Sequence, residues 1–169
     1  MKRIFVVLIA MALPSFGAAS WAAADDVAVI VNKSNPVKDL TMVQLRKIVL
    51  GEETAWLDGN RIAVLMTTPG QAERDTTLRI VCRMSETSFT LHFTHASFKR
   101  TMARHGGLAD RGTADPPQAF GSGVQVRQAV ARATNAVGFI KASQLDDSVK
   151  VITIDGSGPG QPAYKLNLK

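Results

Sequence analysis

The sequence predicts an α/β fold, a small mostly parallel sheet with helices on both faces. Four short apolar runs carry the prediction: Val27–Val31, Ile62–Met66, Val137–Ile140 and Val149–Ile154. Continuous runs of this length read as strands buried on both faces, the habit of parallel sheets. Stretches with apolar residues at helical spacing lie between them. With 169 residues, 46% hydrophobic and 20% charged, the chain has the composition of a folded domain rather than a disordered or low-complexity one. No internal repeat is present.

The first 24 residues stand apart. Lys2 and Arg3 precede a ten-residue apolar run, Ile4 to Leu13, which Pro14 ends. Ala22-Ala23-Ala24 then offers small residues for cleavage. This three-part layout predicts a secretory signal peptide over 1–24 and a periplasmic mature chain from Asp25. The run is short of the ~20 apolar residues of a membrane span, so no embedding is expected after cleavage. No Cys lies near the cleavage site for a lipid anchor, and no Arg-Arg pair marks a twin-Arg signal. Removal of Lys2 and Arg3 lowers the formal charge from +6 to +4. The remaining basic residues are scattered and not interleaved with aromatics, which argues against a nucleic-acid partner.

Elements follow in order along residues 25–156. After the first strand, Asn32 to Pro36 is a loop. Thr41 and Gln44 have capping-box spacing, and Leu45, Ile48 and Val49 continue a helix that Gly51 stops. Trp56 precedes an Asp58-Gly59 turn and the second strand. Thr67 to Gln71 is a polar loop with Pro69 and Gly70. A helix is expected from about Glu73 to Met84, with Leu78, Ile80 and Val81 inward. Ser85 caps the next, running to about Arg104 with Phe89, Phe93 and Ala96 on one face. His105-Gly106-Gly107 ends it, and Leu108 to Phe120 reads as a loop. Gly121-Ser122-Gly123 opens another helix, with Ser122 and Gln125 at capping-box spacing and Val126, Ala129, Val130 and Ala133 inward. Ala142 to Leu145 reads as one helical turn. Residues 157–169 form a Gly/Pro-rich C-terminal tail, expected to be mobile. Ligands of such sheets favour loops at the carboxyl ends of strands, here Asn32–Pro36 and Thr67–Gln71.

Other constellations are weaker. Cys82 is the only cysteine, so no intramolecular disulfide forms, and its apolar helical setting predicts a buried, inert thiol. His92 and His95 are three apart on a helix, but no Asp or Glu shares their face; exposed helix histidines are the expectation, and no metal or other cofactor. No G-x-S-x-G nucleophile turn occurs, and Asp146-Asp147 reads as a solvated pair. Enzymatic activity is not expected.

Three stretches resemble one family. Val29 to Pro36 is similar to the hinge strand and loop of phosphate-type periplasmic solute-binding proteins. Leu40-Thr41, Gln44-Leu45-Arg46-Lys47-Ile48, Gly51 and Trp56 resemble that family's L-T-x-x-Q-L-x-x-I-F-x-G-x-x-x-x-W stretch. Asn135 to Ile140 resembles its G-A-I-G-Y-V strand. The resemblance implies a single lobe of a type II periplasmic-binding-protein-like fold, the second lobe only, at about half a full binding protein's length.

The family's anion motif, R-x-x-G-S-G-T-R, falls on Thr67-Thr68-Pro69-Gly70-Gln71-Ala72-Glu73-Arg74. Only Gly70 and Arg74 match. In the motif, backbone N–H groups at a helix start, hydroxyls and Arg donate to an oxyanion. A carboxylate at Glu73 opposes a bound phosphate, so phosphate capture is expected to be weakened or lost.

Two readings follow. In the first, the chain is an exported solute-binding-like module, resembling a phosphate ABC transporter substrate-binding protein. It takes a small anion or polar solute at Thr67, Thr68, Gly70, Gln71 and Arg74, with Ser122 at the second helix start. In the second, it is a periplasmic interaction or scaffold module that has lost phosphate binding and serves a membrane transporter, a sensor protein or self-association. The surface that faced a second lobe must then be covered or reused, which makes a homo-oligomer reasonable. Phe89 and Phe93 are expected in the core rather than on that surface.

Overall fold

The computed structural model describes residues 26–105 and 115–168, with the side chains of 98–105 outside the description. The expected leader 1–24, the expected helix stop at Gly106-Gly107 and most of the expected loop from Leu108 lie outside the described residues, as does the Phe98 side chain. A five-stranded sheet forms the centre, in the order β4-β3-β5-β1-β6. Its strands are β1 (Val27–Val31), β3 (Ala63–Thr67), β4 (Gln118–Phe120), β5 (Ala136–Lys141) and β6 (Lys150–Val151). A two-stranded sheet pairs β2 (Asp39–Leu40) with β7 (Thr153–Ile154). Four helices, α1 (Met42–Val49), α2 (Ala72–Thr77), α3 (Glu86–His105) and α4 (Gly123–Arg132), complete the α/β architecture.

The sheet is mostly parallel by direction. β3 runs parallel to β4 and β5, whereas β1 is antiparallel to β5 and β6. Four strands therefore point one way, and β1 alone runs against them. All five residues of β1 are fully buried because its two faces enter different cores. Val27, Val29 and Val31 join the larger cluster with Leu45, Met66, Leu78, Phe89 and Phe139. Ala28 and Ile30 join the smaller one with Val126, Val130 and Ile140. Each fully buried large side chain contributes roughly 1.5–3 kcal/mol of transfer free energy. α4 lies close over β5: a Cβ on Gly138 would come 2.7 Å from Val130 Cγ2 and 2.8 Å from Val126 Cγ1.

Local chemistry explains the element starts. Thr41 accepts from the Gln44 N–H while the Gln44 side chain accepts from the Thr41 N–H, closing the capping box of α1. Ser85 accepts from the Ser88 N–H at the start of α3. Ser122 accepts from the Gln125 N–H, but Gln125 Oε1 accepts from Gly121 rather than from Ser122, so the expected box is offset by one residue.

Several expectations are corrected. β1 runs against its neighbours, so Asn32–Pro36 follows it at the sheet edge opposite Thr67–Gln71. The Val31↔Val137 pair places that loop beside the start of β5, and Asn32 Nδ2 donates to the carbonyls of Val130 and Ala131 at the end of α4. A strand buried on both faces carries the same apolar run in either direction. The stretch read as loop before Phe120 contains β4, whose side chains are largely exposed and show no apolar run. The helix expected to reach Met84 continues α2 as a π-helical turn, Leu78–Cys82, and stops at Arg83 with φ +55°. The last apolar run divides into β6 and β7, which join different sheets.

The expected mobile tail packs instead. Tyr164 and Leu166 are buried, Tyr164 Oη donates to the Val27 carbonyl at 2.6 Å, and Val27 N donates to the Leu166 carbonyl. Apolar residues spaced by Gly and Pro show no periodicity, so their burial leaves no trace in the sequence pattern.

Candidate functional site

The parallel strands β3, β4 and β5 deliver their carboxyl ends to one edge. Thr67 ends β3 opposite Phe120 at the end of β4, and Lys141 ends β5. Thr68 N donates to the Phe120 carbonyl at 2.8 Å, tying the loop after β3 to the strand that leads into α4. Thr67–Gln71 and Ser122 thus share an edge. Gly70 turns the chain at φ +85°, which a side chain would strain. Gly70 and Gln71 are exposed, and Thr68 and Ser122 are partly so.

Arg74 is not at the surface. It is 7% exposed. Its Nε donates to Glu86 Oε2 at 2.8 Å, its Nη2 to Glu86 Oε1 at 2.7 Å and its Nη1 to the Thr67 carbonyl at 3.0 Å. The guanidinium carbon lies 5.6 Å from the Phe89 ring centroid. Every nitrogen of the fork is engaged within the chain, so the one side-chain cation of the expected anion site is already matched. Glu86 was not among the expected site residues. Its signal is slight: an Arg in the first turn of one helix and a Glu opening the next, twelve residues apart.

Thr67 is also turned inward: it is fully buried and its Oγ1 has no hydrogen-bond partner. Glu73, in the first turn of α2, is 2% exposed, and its Oε2 lies 4.0 Å from Lys141 Nζ without a hydrogen bond. The helix dipole favours a carboxylate there, and that same carboxylate opposes an incoming anion. α2 has no side-chain cap at Gln71. At the start of α4, Gln144 fills the space beside Gly123, where a Cβ would meet its Oε1 at 2.0 Å. Arg127 on α4 donates to the Gln144 carbonyl and pairs with Asp146 at 3.0 Å. The edge can hold and orient polar groups, but its charged side chains are largely spent on one another.

The remaining candidates resolve simply. Among the described residues no group of His, Cys, Asp and Glu is placed to hold a metal. His92 is partly buried with Nε2 3.0 Å from the Leu50 carbonyl, rather than exposed, while His95 is exposed. Phe89 and Phe93 are in the core, with ring centroids 5.1 Å apart. Cys82 is buried, and desolvation pushes its thiol up to about 12, which leaves it inert at neutral pH. Asp146 and Asp147 are exposed. No described helix is long and apolar enough to cross a membrane.

No protein-family model matches the chain, and no curated protein does. Solved structures do. An ABC-type phosphate transport receptor from Vibrio cholerae shares 26% identity at a TM-score of 0.58, over 80% of this chain and 48% of its own. A putative phosphate ABC transporter substrate-binding protein from Clostridium perfringens, with bound phosphate, shares 27% at 0.59, over 80% and 47%. PstS from Borrelia burgdorferi, at 10% identity and a TM-score of 0.59, shares the fold. The structural neighbours are phosphate ABC transporter substrate-binding proteins, and this chain spans about half their length.

Proposed function

We propose that the protein is an exported, single-lobe solute-binding-like module that does not retain phosphate alone and works against a membrane transporter or sensor protein. The observation that supports this reading is the inward turn of Arg74, whose three donor nitrogens are taken by Glu86 and the Thr67 carbonyl. A phosphate would have to break two charge-assisted hydrogen bonds and then meet Glu73. Exposure adds a second argument: Gly70 and Gln71 lie in contact with water, where a charge pair 4 Å apart gains only about 1 kcal/mol. Thr68, Gly70, Gln71 and Ser122 then serve as surface contacts for a polar solute or a partner rather than as a closed anion cage.

The test uses mature protein recovered from the periplasm. N-terminal sequencing is expected to begin near Asp25; an intact Met1 removes the export reading. Calorimetry with phosphate and sulfate at millimolar concentration is expected to show no binding heat. A micromolar phosphate isotherm overturns the proposal.

A further inference from the structure

The far end of the sheet carries a second concave surface. It lies at the amino ends of β3 and β5, whereas Thr67–Gln71 and Ser122 lie at the carboxyl ends. The cavity there has a volume of about 270 Å³, and Ile48, Ile62 and Val64 are in its apolar wall. β3 is an inner strand of the sheet, yet Ala63 and Val64 at its start are only partly buried. Apolar sheet surface is thus left open to the cavity. The chain opposite is pinned in place. Glu53 N donates to the Lys47 carbonyl at 3.2 Å, Ile62 N to the Thr54 carbonyl at 2.8 Å and the Trp56 indole to the Asn135 carbonyl at 2.9 Å.

The polar groups of this cavity favour a donor. Glu53 lines it and is half-buried, and among the described residues its carboxylate makes no hydrogen bond or ion pair. Asn135 gives its side-chain NH2 to the Arg61 carbonyl at 2.6 Å, which leaves its amide oxygen as an acceptor. Arg61 is the one cation of the described lining, and Asp115 stands 4.0 Å from it, both largely exposed. One guanidinium therefore faces two carboxylates, and the carboxylate nearer the apolar wall is the unpaired one. Low-dielectric walls reduce screening, so an unpaired charge in such a recess attracts its opposite more strongly than one on open surface.

We propose that this cavity is a binding site for a small organic ammonium ion, its N–H groups directed to Glu53 and Asn135 and its carbon body laid on Ile62 and Val64. A primary ammonium has three donors and no acceptor, which matches a lining rich in acceptors. An anion of the same size meets Glu53 and Asp115 with like charge. The inference goes beyond the reading of the strand-end edge, since the two surfaces share no residue.

Calorimetry with n-butylammonium chloride tests this. The native chain is expected to bind it with a Kd of about 1 mM. Butanol keeps the body without the charge, and ammonium the charge without the body; each is expected to bind about tenfold more weakly. Glu53→Gln keeps the shape of the wall and removes the charge. It is expected to melt within a degree or so of the native chain and to bind butylammonium about tenfold more weakly. Arg61→Ala removes the competing cation and is expected to tighten binding about threefold. Absence of binding heat with the native chain at tens of millimolar butylammonium overturns the site. Butanol or butyrate bound as tightly as butylammonium overturns the ligand class. Unchanged affinity in Glu53→Gln overturns the placement of the ammonium group.

Discussion

The starts of α2 and α4 stand at the ends of neighbouring parallel strands, yet they are built in opposite ways. α4 begins with Ser122, whose hydroxyl accepts from the Gln125 N–H, and its first charged residue, Arg127, comes a turn later. α2 begins with Gln71, which makes no side-chain cap, and its first turn carries Glu73 and Arg74, both buried. One helix start is closed by an ordinary hydroxyl cap at the surface. The other turns Glu73 and Arg74 inward, toward Lys141 and Glu86, and leaves Asp75 exposed. Arg74 ties α2 to α3 through Glu86, and Glu73 faces Lys141 at the end of β5. A matching motif residue therefore says where a side chain starts, and its partners decide what it does.

The sharpest way to break this contrast is Arg74→Ala. If Arg74 were a ligand contact at the surface, its loss would spare stability and cost binding. The inward arrangement reverses both expectations. Removing one partner of a buried, hydrogen-bonded pair costs about 3 kcal/mol, because Glu86 and the Thr67 carbonyl lose their donors together. Differential scanning calorimetry is expected to show Tm lower by about 10 °C. A Tm within a degree or so of the native value would return Arg74 to the list of surface ligand groups.

Ser122→Ala probes the other helix start and is expected to cost less, about 0.5–1 kcal/mol. The Gln125 N–H to Ser122 distance of 3.4 Å places it at the weak end of hydroxyl caps. The remaining fastening of α4, through Val126 and Val130 onto Gly138, is untouched. Urea denaturation of the two variants side by side measures the difference. A Ser122→Ala loss as large as that of Arg74→Ala would mean that both helix starts carry comparable internal loads.

Much of this was legible in the sequence, and the exceptions have physical causes. The strands β1, β3 and β5 and the helix caps at Thr41, Ser85 and Ser122 follow from apolar runs and hydroxyl spacing, which are local signals. The half-length lobe was legible through three family-like stretches, and structural neighbours matched over about half their length agree with it. The direction of β1 was not legible, because Val27–Val31 is buried on both faces whichever way it runs. The packing of residues after Gly156 was not legible either, because Tyr164 and Leu166 owe their burial to β1, more than 130 residues away. The strand-end loop and helix starts that carry Thr67, Thr68, Gly70, Gln71, Arg74 and Ser122 were legible from the order of the apolar runs and caps. Their orientation was not, since Glu86, Lys141 and Gln144 reach them only through the tertiary fold.

The smallest expected effect is also a direct test of why α2 starts as it does. Gln71 has the extended backbone of an N-cap, φ −87° and ψ 133°, and is exposed, yet it supplies no side-chain acceptor. A serine hydroxyl at that backbone geometry would accept from an N–H of the first turn, at Glu73 or Arg74, whose backbone donors have no intrahelical partner. Gln71→Ser is therefore expected to stabilise the protein by about 0.5 kcal/mol, seen as a rise of one to two degrees in Tm. The gain should persist in the Ser122→Ala background, because the two helix starts share no side-chain partner and distant effects add. In the Arg74→Ala background the gain should shrink, because a first turn no longer anchored to Glu86 and Thr67 offers the new hydroxyl a less ordered donor. An undiminished gain there would mean that α2 is held in place by its helix packing alone and that the Arg74 link positions α3 rather than the strand-end loop.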